Sequence, residues 1–176
     1  FFTLCGLSDQ KGIDHLLQAI ALWNPSRLEV EFRIGGDGPL RKSYETMAVD
    51  LGLTDRVRFL GPISREDAPE LFGQCHAYVM PSRHETFGIV YAEAIASGKP
   101  VIATRCGGPE SIVNEGNGLL VDVGDTEALA RAMQHMVRDW HHYDPLRIRQ
   151  DFENRFSRQA VVGQLVELYQ SVTHRI

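Results

Sequence analysis

The sequence holds only three cysteines, Cys5, Cys75 and Cys106, and no C-x-x-C pair. An odd number of widely spaced thiols favours a reducing, cytoplasmic compartment over a disulfide scaffold. Also missing is any apolar run approaching the roughly eighteen residues that a spanning helix needs, so membrane contact would be peripheral, at the inner face. A net charge of −5 leaves no basic footprint for nucleic acid. No internal repeat, low-complexity tract or linker interrupts the 176 residues, and 43% hydrophobic with 23% charged residues suits one globular domain spanning 1–176. Phe1-Phe2-Thr3-Leu4-Cys5 starts directly in a strand-like run with no initiator Met, so the chain reads as a piece of something larger.

What is present is an alternation of strand and helix. Strand-like runs fall at residues 1–5, 28–35, 56–61, 76–80, 100–104 and 118–121. Helical spacing follows from Ile13, then over 40–51, 64–74, the stretch after Gly88, 111–114 and 126–140, with terminal helices from about residue 143. These last pack on the domain or on an absent N-terminal domain. The fold class expected is α/β, a Rossmann-like three-layer parallel sheet with helices on both faces. In such sheets ligands bind beyond the carboxyl ends of the strands.

The stretch from Met80 to Gly98 is the centre of the reading. An apolar strand leads through Pro81-Ser82-Arg83-His84-Glu85-Thr86-Phe87-Gly88 into an apolar helix. The amides of Phe87, Gly88, Ile89 and Val90 would lack acceptors one turn earlier, at the positive end of the helix dipole, which makes an anion site suited to phosphate. Glu85 stands just before that helix. Glu93, eight residues on, lies about 7 Å along it at 1.5 Å per residue. Two acids flanking a phosphate pocket describe a ligand with hydroxyls on both sides of a phosphate.

Three more loops follow strands at the same rim. Ser8 or Asp9 could cap the first helix and put Lys11 in its first turn, where it is either a solvated lysine or a cation waiting for an anion. Gly36-Asp37-Gly38-Pro39 permits a tight turn and a close approach to a ligand, but Arg41 stands where a dinucleotide fingerprint wants a third glycine. Arg105-Cys106-Gly107-Gly108-Pro109-Glu110 ends the fifth strand.

In order and spacing, Leu7-Ser8-x-x-Lys11-Gly12, Gly36-Asp37-Gly38-Pro39, Phe59-Leu60-Gly61, Pro81-Ser82-x-x-Glu85-x-Phe87-Gly88, Glu93-Ala94-x-Ala96-x-Gly98-x-Pro100-Val101 and Gly107-Gly108-Pro109-Glu110 resemble the C-terminal half of retaining GT-B glycosyltransferases of the group 1 type. The resemblance covers about residues 4–169. It implies a domain that binds a nucleotide-diphospho-sugar such as a UDP-, GDP- or ADP-sugar, with no cofactor and no metal, while a separate N-terminal domain supplies the acceptor. By matching position, Lys11 and Glu85 would be catalytic, Lys11 at the donor diphosphate and Glu85 at hydroxyls of the transferred sugar. Gly36, Gly38, Arg58, Leu60, Thr86, Phe87, Gly88, Ile89, Val90, Glu93, Gly108 and Glu110 would bind the donor, with Glu93 on the ribose and the Arg58 to Ile63 segment along the base. The family usually has Gly-Arg where this chain has Cys5-Gly6, so either another cation, Arg83 or Arg105, replaces the missing arginine or the protein is a weakened or altered transferase. Arg158 stands where a tryptophan is common. Rival readings are a nucleotide-sugar epimerase or phosphorylase-like protein, a non-catalytic binding module and a dehydrogenase domain.

Structural roles stand beside these. Glu85 could simply cap the helix, and Glu93 could pair with Arg105 or Lys99. His84 more commonly bonds to water or backbone than acts as a base. His135, His141 and His142 read as plain surface with no acidic companion. Phe152 and Phe156 read as anchors for the terminal helices.

Overall fold

Strands of three to five residues alternate with helices through the computed structural model, which describes residues 1–24 and 30–173. β1 (Phe2–Leu4), β2 (Phe32–Gly35), β3 (Val57–Gly61), β4 (Tyr78–Met80), β5 (Val101–Thr104) and β6 (Gly118–Val121) form one six-stranded sheet in the order β3-β2-β1-β4-β5-β6. Every pairing is parallel. The order reverses between β1 and β4, where a crevice opens beyond the carboxyl ends of the strands. The start of the second expected strand, Leu28 and Glu29, lies outside the described residues.

Both faces are covered, which is why the strands read as continuous apolar runs. On one face α1 (Ile13–Trp23), α2 (Arg41–Asp50) and α5 (Thr126–Asp139) enclose a core that includes Leu16, Leu17, Ile20, Ile34, Val79, Ile102 and Met133. On the other, α3 (Ala68–Gln74), α4 (Ile89–Ala96) and α6 (Pro145–Phe156) enclose Phe2, Phe72, Tyr78, Tyr91, Ile95 and Ile148. Asp125 caps α5 by accepting from the Ala128 amide at 2.8 Å. Asp144, followed by Pro145, caps α6 by accepting from the Leu146 amide at 2.9 Å.

Two expectations need correction. The helix expected over 111–114 is instead a 3-10 turn at Gly108–Ser111, because the Glu110 carboxylate turns back to accept from the Gly107 amide at 2.8 Å and starts the turn early. Lys11 is not in the first turn of α1. It ends a separate 3-10 turn, Asp9–Lys11, closed by Gly12 at φ 65°, and α1 begins only at Ile13. Of the terminal helices, α7 (Arg158–Thr173) leaves its apolar side chains uncovered here: Val161, Leu165, Leu168 and Val172, at helical spacing, are 41–59% exposed. Phe152 and Phe156 do pack on the second core cluster, as expected. Among the described residues, no helix is long and apolar enough to cross a membrane.

Candidate active site

The β1–α1 and β4–α4 loops meet at the crevice. The Gly12 backbone runs so close to Pro81 that a Cβ on residue 12 would lie 2.0 Å from the Pro81 carbonyl oxygen. That contact and the Arg83 amide bonded to the Gln10 carbonyl at 2.7 Å lock the loops together. As a result the Lys11 ammonium donates to Glu85 Oε1 at 2.6 Å, across 74 residues of sequence. The two side chains are 24% and 11% exposed, so the pair is partly shielded from water. The Ser82 hydroxyl donates to the same oxygen at 3.0 Å. An ammonium has three donors, so Lys11 can keep Glu85 and still reach an anion.

The β5 loop closes the third side. Glu85 bridges Gly107 in parallel-strand fashion, and the Gly108 amide donates to the Glu85 carbonyl at 2.8 Å. A Cβ on residue 108 would meet Phe87 backbone atoms at 2.3–2.5 Å, so only glycine fits. Beyond Glu85 the chain enters α4 through Gly88, and the amides of Phe87, Gly88, Ile89 and Val90 take no acceptor among the described residues. Thr86 and Phe87 are exposed next to them. Four free donors at a helix start form an anion cradle beside the Lys11–Glu85 pair.

Glu93 is exposed on α4, and its carboxylate pairs with neither Lys99 nor Arg105. Lys99 Nζ donates to the Gly73 carbonyl, and Arg105 to the Leu120 carbonyl and to Asp122. Partial burial nevertheless pushes the Glu93 carboxyl above its ordinary range, with Arg65 pulling the other way. The structure also gives both candidate replacement arginines other duties. Arg83 forks onto Asp14 at 2.5 and 3.0 Å and also donates to the Asp9 carbonyl.

Several expected site residues work differently. Arg58 pairs with Arg33 in the sheet register, well inside the strand, and its guanidinium turns to Glu31 at 3.5 Å. The Arg58 side chain is exposed there. Leu60, nearer the end of β3, is part-exposed. The space that Gly36 and Gly38 leave is taken by the chain itself: a Cβ on either would strike the Cys5 carbonyl at 1.8 Å or the Leu7 carbonyl at 2.5 Å. Glu110 is occupied in capping its own turn.

His84 is exposed. His135 is not without an acidic neighbour, since its Nδ1 lies 2.7 Å from Asp139 on the next turn of α5. No cluster of three or more metal-ligating side chains occurs among the described residues. Ser82 went unassigned in the sequence, although its position three residues before Glu85 was a usable signal. Two hollows of about 370 and 660 Å³ lie away from the crevice, one beside Phe1, His76 and Trp140, the other beside Asn114, His135 and Arg147. The chemistry nevertheless converges at the open crevice, which a facing surface would have to close.

Residues 1–158 match the family model described as glycosyl transferases group 1. The chain is 36% identical over 171 residues to the lipopolysaccharide core biosynthesis glycosyltransferase LpsE of Rhizobium meliloti (strain 1021), covering 93% of this chain and 47% of that one. It is 37% identical over 175 residues to the D-inositol 3-phosphate glycosyltransferase of Corynebacterium urealyticum, covering 92% and 40%. Anabaena Alr3699/HepE, crystallised in complex with UDP, superposes with a TM-score of 0.84 at 30% identity, covering 97% of this chain and 48% of that one. The chain thus spans about half the length of these relatives. It belongs to the glycosyl transferases group 1 family, and its parallel sheet is one Rossmann-like domain of the GT-B fold.

Proposed function

We propose that this chain is the donor-binding half of a retaining, metal-independent glycosyltransferase and takes a nucleotide-diphospho-sugar at the crevice. The carrying observation is the Lys11–Glu85 pair set beside four unbonded amides at the switch point of the sheet. Support also comes from the UDP complex of the Anabaena relative. In this reading the amides of residues 87–90 and the Lys11 ammonium hold the diphosphate. Departure of a nucleoside diphosphate from an oxocarbenium-like sugar is helped most by fixed positive charge at the phosphates. Glu85 takes hydroxyls of the transferred sugar, and Glu93, whose carboxylate is uncommitted, takes those of the ribose. An acceptor site and the residues opposite the anomeric carbon come from a further domain. The 176 residues by themselves bind donor and transfer nothing.

Ligand-observed NMR with UDP, GDP, ADP and NAD tests this. A nucleoside diphosphate response that Lys11→Ala and Glu93→Ala reduce is expected; a response to NAD alone ends the reading. One observation favours a second reading, a module that binds donor without transferring it. No arginine stands at Cys5-Gly6, and Arg83 and Arg105 are both engaged by carboxylates. Nucleoside diphosphate release by the full-length protein, supplied with donor and acceptor, separates the two.

A further inference from the structure

Behind the Lys11–Glu85 pair lies a polar side chain that the proposed reaction does not use. Ser82 is 0% exposed, beside the Met80–Pro81 end of β4 and the start of α4. Burying a hydroxyl there is unfavourable unless it is hydrogen-bonded. Its proton goes to Glu85 Oε1 at 3.0 Å. Its own carbonyl is held by the hydroxyl of Thr104, itself 1% exposed at the end of β5. The Tyr91 hydroxyl donates to the Met80 carbonyl at 2.9 Å and lies within hydrogen-bond reach of the Ser82 hydroxyl, so its oxygen is a second acceptor beside Glu85. The result is a directed line from β5 through Thr104 and Ser82 to the carboxylate.

Lys11 and Ser82 both donate to Oε1. Oε2 receives no hydrogen bond from the described residues, and it is not among their buried unpartnered side-chain atoms, so it keeps some contact with solvent. A carboxylate pinned at one oxygen by two donors has its plane and its second oxygen fixed in direction. Lys11 alone could not do this, because an ammonium is a point charge on a flexible stem that tolerates many carboxylate orientations.

We propose that Ser82 is a positioning residue: it clamps Oε1 of Glu85 so that Oε2 is presented, pre-aimed, to a hydroxyl of the ligand's sugar. The inference rests on the donor-binding reading above. Ser82 touches no ligand, and it acts through Glu85. Removal of its hydroxyl therefore leaves the diphosphate cradle intact and weakens only the sugar end of recognition.

The test compares, by titration calorimetry on the 176-residue chain, affinity for the preferred nucleoside diphosphate with affinity for the matching nucleotide-sugars. Ser82→Ala is expected to leave the nucleoside diphosphate within twofold and to cut the extra affinity given by the sugar three- to tenfold. Equal weakening of both ligands would mean that Ser82 only supports the fold, and no change in either would mean that it positions nothing; each overturns the proposal. If Ser82→Ala gives no cooperative melt, the same ratio is read on Ser82→Cys, whose thiol is a weaker donor, and a partial loss confined to the sugar is expected. If the unsubstituted chain binds no nucleoside diphosphate, the donor-binding reading has failed and this inference with it. A nucleotide response with an unchanged sugar preference overturns the Ser82 proposal alone.

Discussion

Lys11 and Glu85 touch at 2.6 Å across the point where the strand order reverses, one side chain carried by the loop after β1 and the other by the loop after β4. Their charges offset one another, so the anion-attracting field at the crevice comes chiefly from the amides of residues 87–90 and from the two Lys11 donors that Glu85 does not use. Lys11→Ala is expected to weaken nucleoside diphosphate binding about tenfold, the scale of one charge-assisted hydrogen bond. Glu85→Gln leaves that affinity nearly unchanged while reducing the preference for the sugar-bearing form. Calorimetric titration of both variants checks this, and a larger nucleotide loss for Glu85→Gln than for Lys11→Ala would contradict the division of labour.

Glu93 carries a stability cost that binding would recover. Burial raises its folded-state pKa, so the native chain holds that proton more tightly than the unfolded chain does. Stability is then fully present at low pH and declines as pH rises through the raised value. Glu93→Gln should raise the melting temperature at pH 7 slightly, by no more than about 2 °C. The gain should vanish near pH 4, and nucleotide affinity should fall. Melting curves at both pH values, beside a titration, check the opposed signs.

Asp14 behaves in the opposite sense. Burial pushes its carboxyl up, but the forked Arg83 hydrogen bonds and charge outweigh that and hold it below its ordinary range. Its contribution is present above the unfolded value and lost as pH falls through the folded one. Asp14→Asn should lower the melting temperature at pH 7 by about 2–4 °C, roughly 1 kcal/mol for a chain of this size. The deficit should shrink below about pH 4. A deficit independent of pH would show that shape, not charge, ties the β4–α4 loop to the first turn of α1.

Gly108→Ala places a methyl group 2.3 Å from the Phe87 carbonyl oxygen, so one of the two loops must shift. The Gly108 amide that holds the Glu85 carbonyl would move with it. We expect loss of nucleotide binding together with a melting point lower by several degrees, the pattern of a strained backbone contact. An alanine variant that binds and melts normally would show that these loops are loosely joined.

Burial pushes the Cys5 thiol up to about 12, the neighbouring Lys11 offsetting this only in part. With almost no thiolate at pH 8, Cys5 should escape iodoacetamide in the native chain and react only after unfolding. Mass spectrometry of the labelled peptides reads this directly.

The sheet and its layers were legible because strand and helix periods differ, and the parallel rule then put the loops after the first, second, fourth and fifth strands on one rim. The partners at that rim were not legible. Strand order is a non-local property, and without it nothing in Lys11 or Glu85 says that they meet, or that Arg83 belongs to Asp14. Nor was the Arg58 pairing with Glu31 legible, because a motif at a strand end gives no direction for the residues inside it. The spacing of Val161, Leu165, Leu168 and Val172 announced a helix correctly, but amphipathic periodicity cannot say whether a partner surface lies in the same stretch of chain. At Gly36 and Gly38 the close passage of the chain past Cys5 and Leu7 was likewise invisible, since it depends on how the loops after the first and second strands meet.

β1 and β4 share a single registered pair, Phe2 with Tyr78, reinforced by the Tyr78 hydroxyl on the Leu4 carbonyl at 3.0 Å. Within the sheet that seam joins an amino-terminal half to a carboxyl-terminal one, α1 packs on α5 across it on one face, and the crevice residues are split between the halves. Any molecule gripping Lys11 on one side and the α4 amides on the other would act as a rivet through the seam. Occupancy would therefore report whether the two half-sheets have docked, and partly assembled chains would be unable to bind.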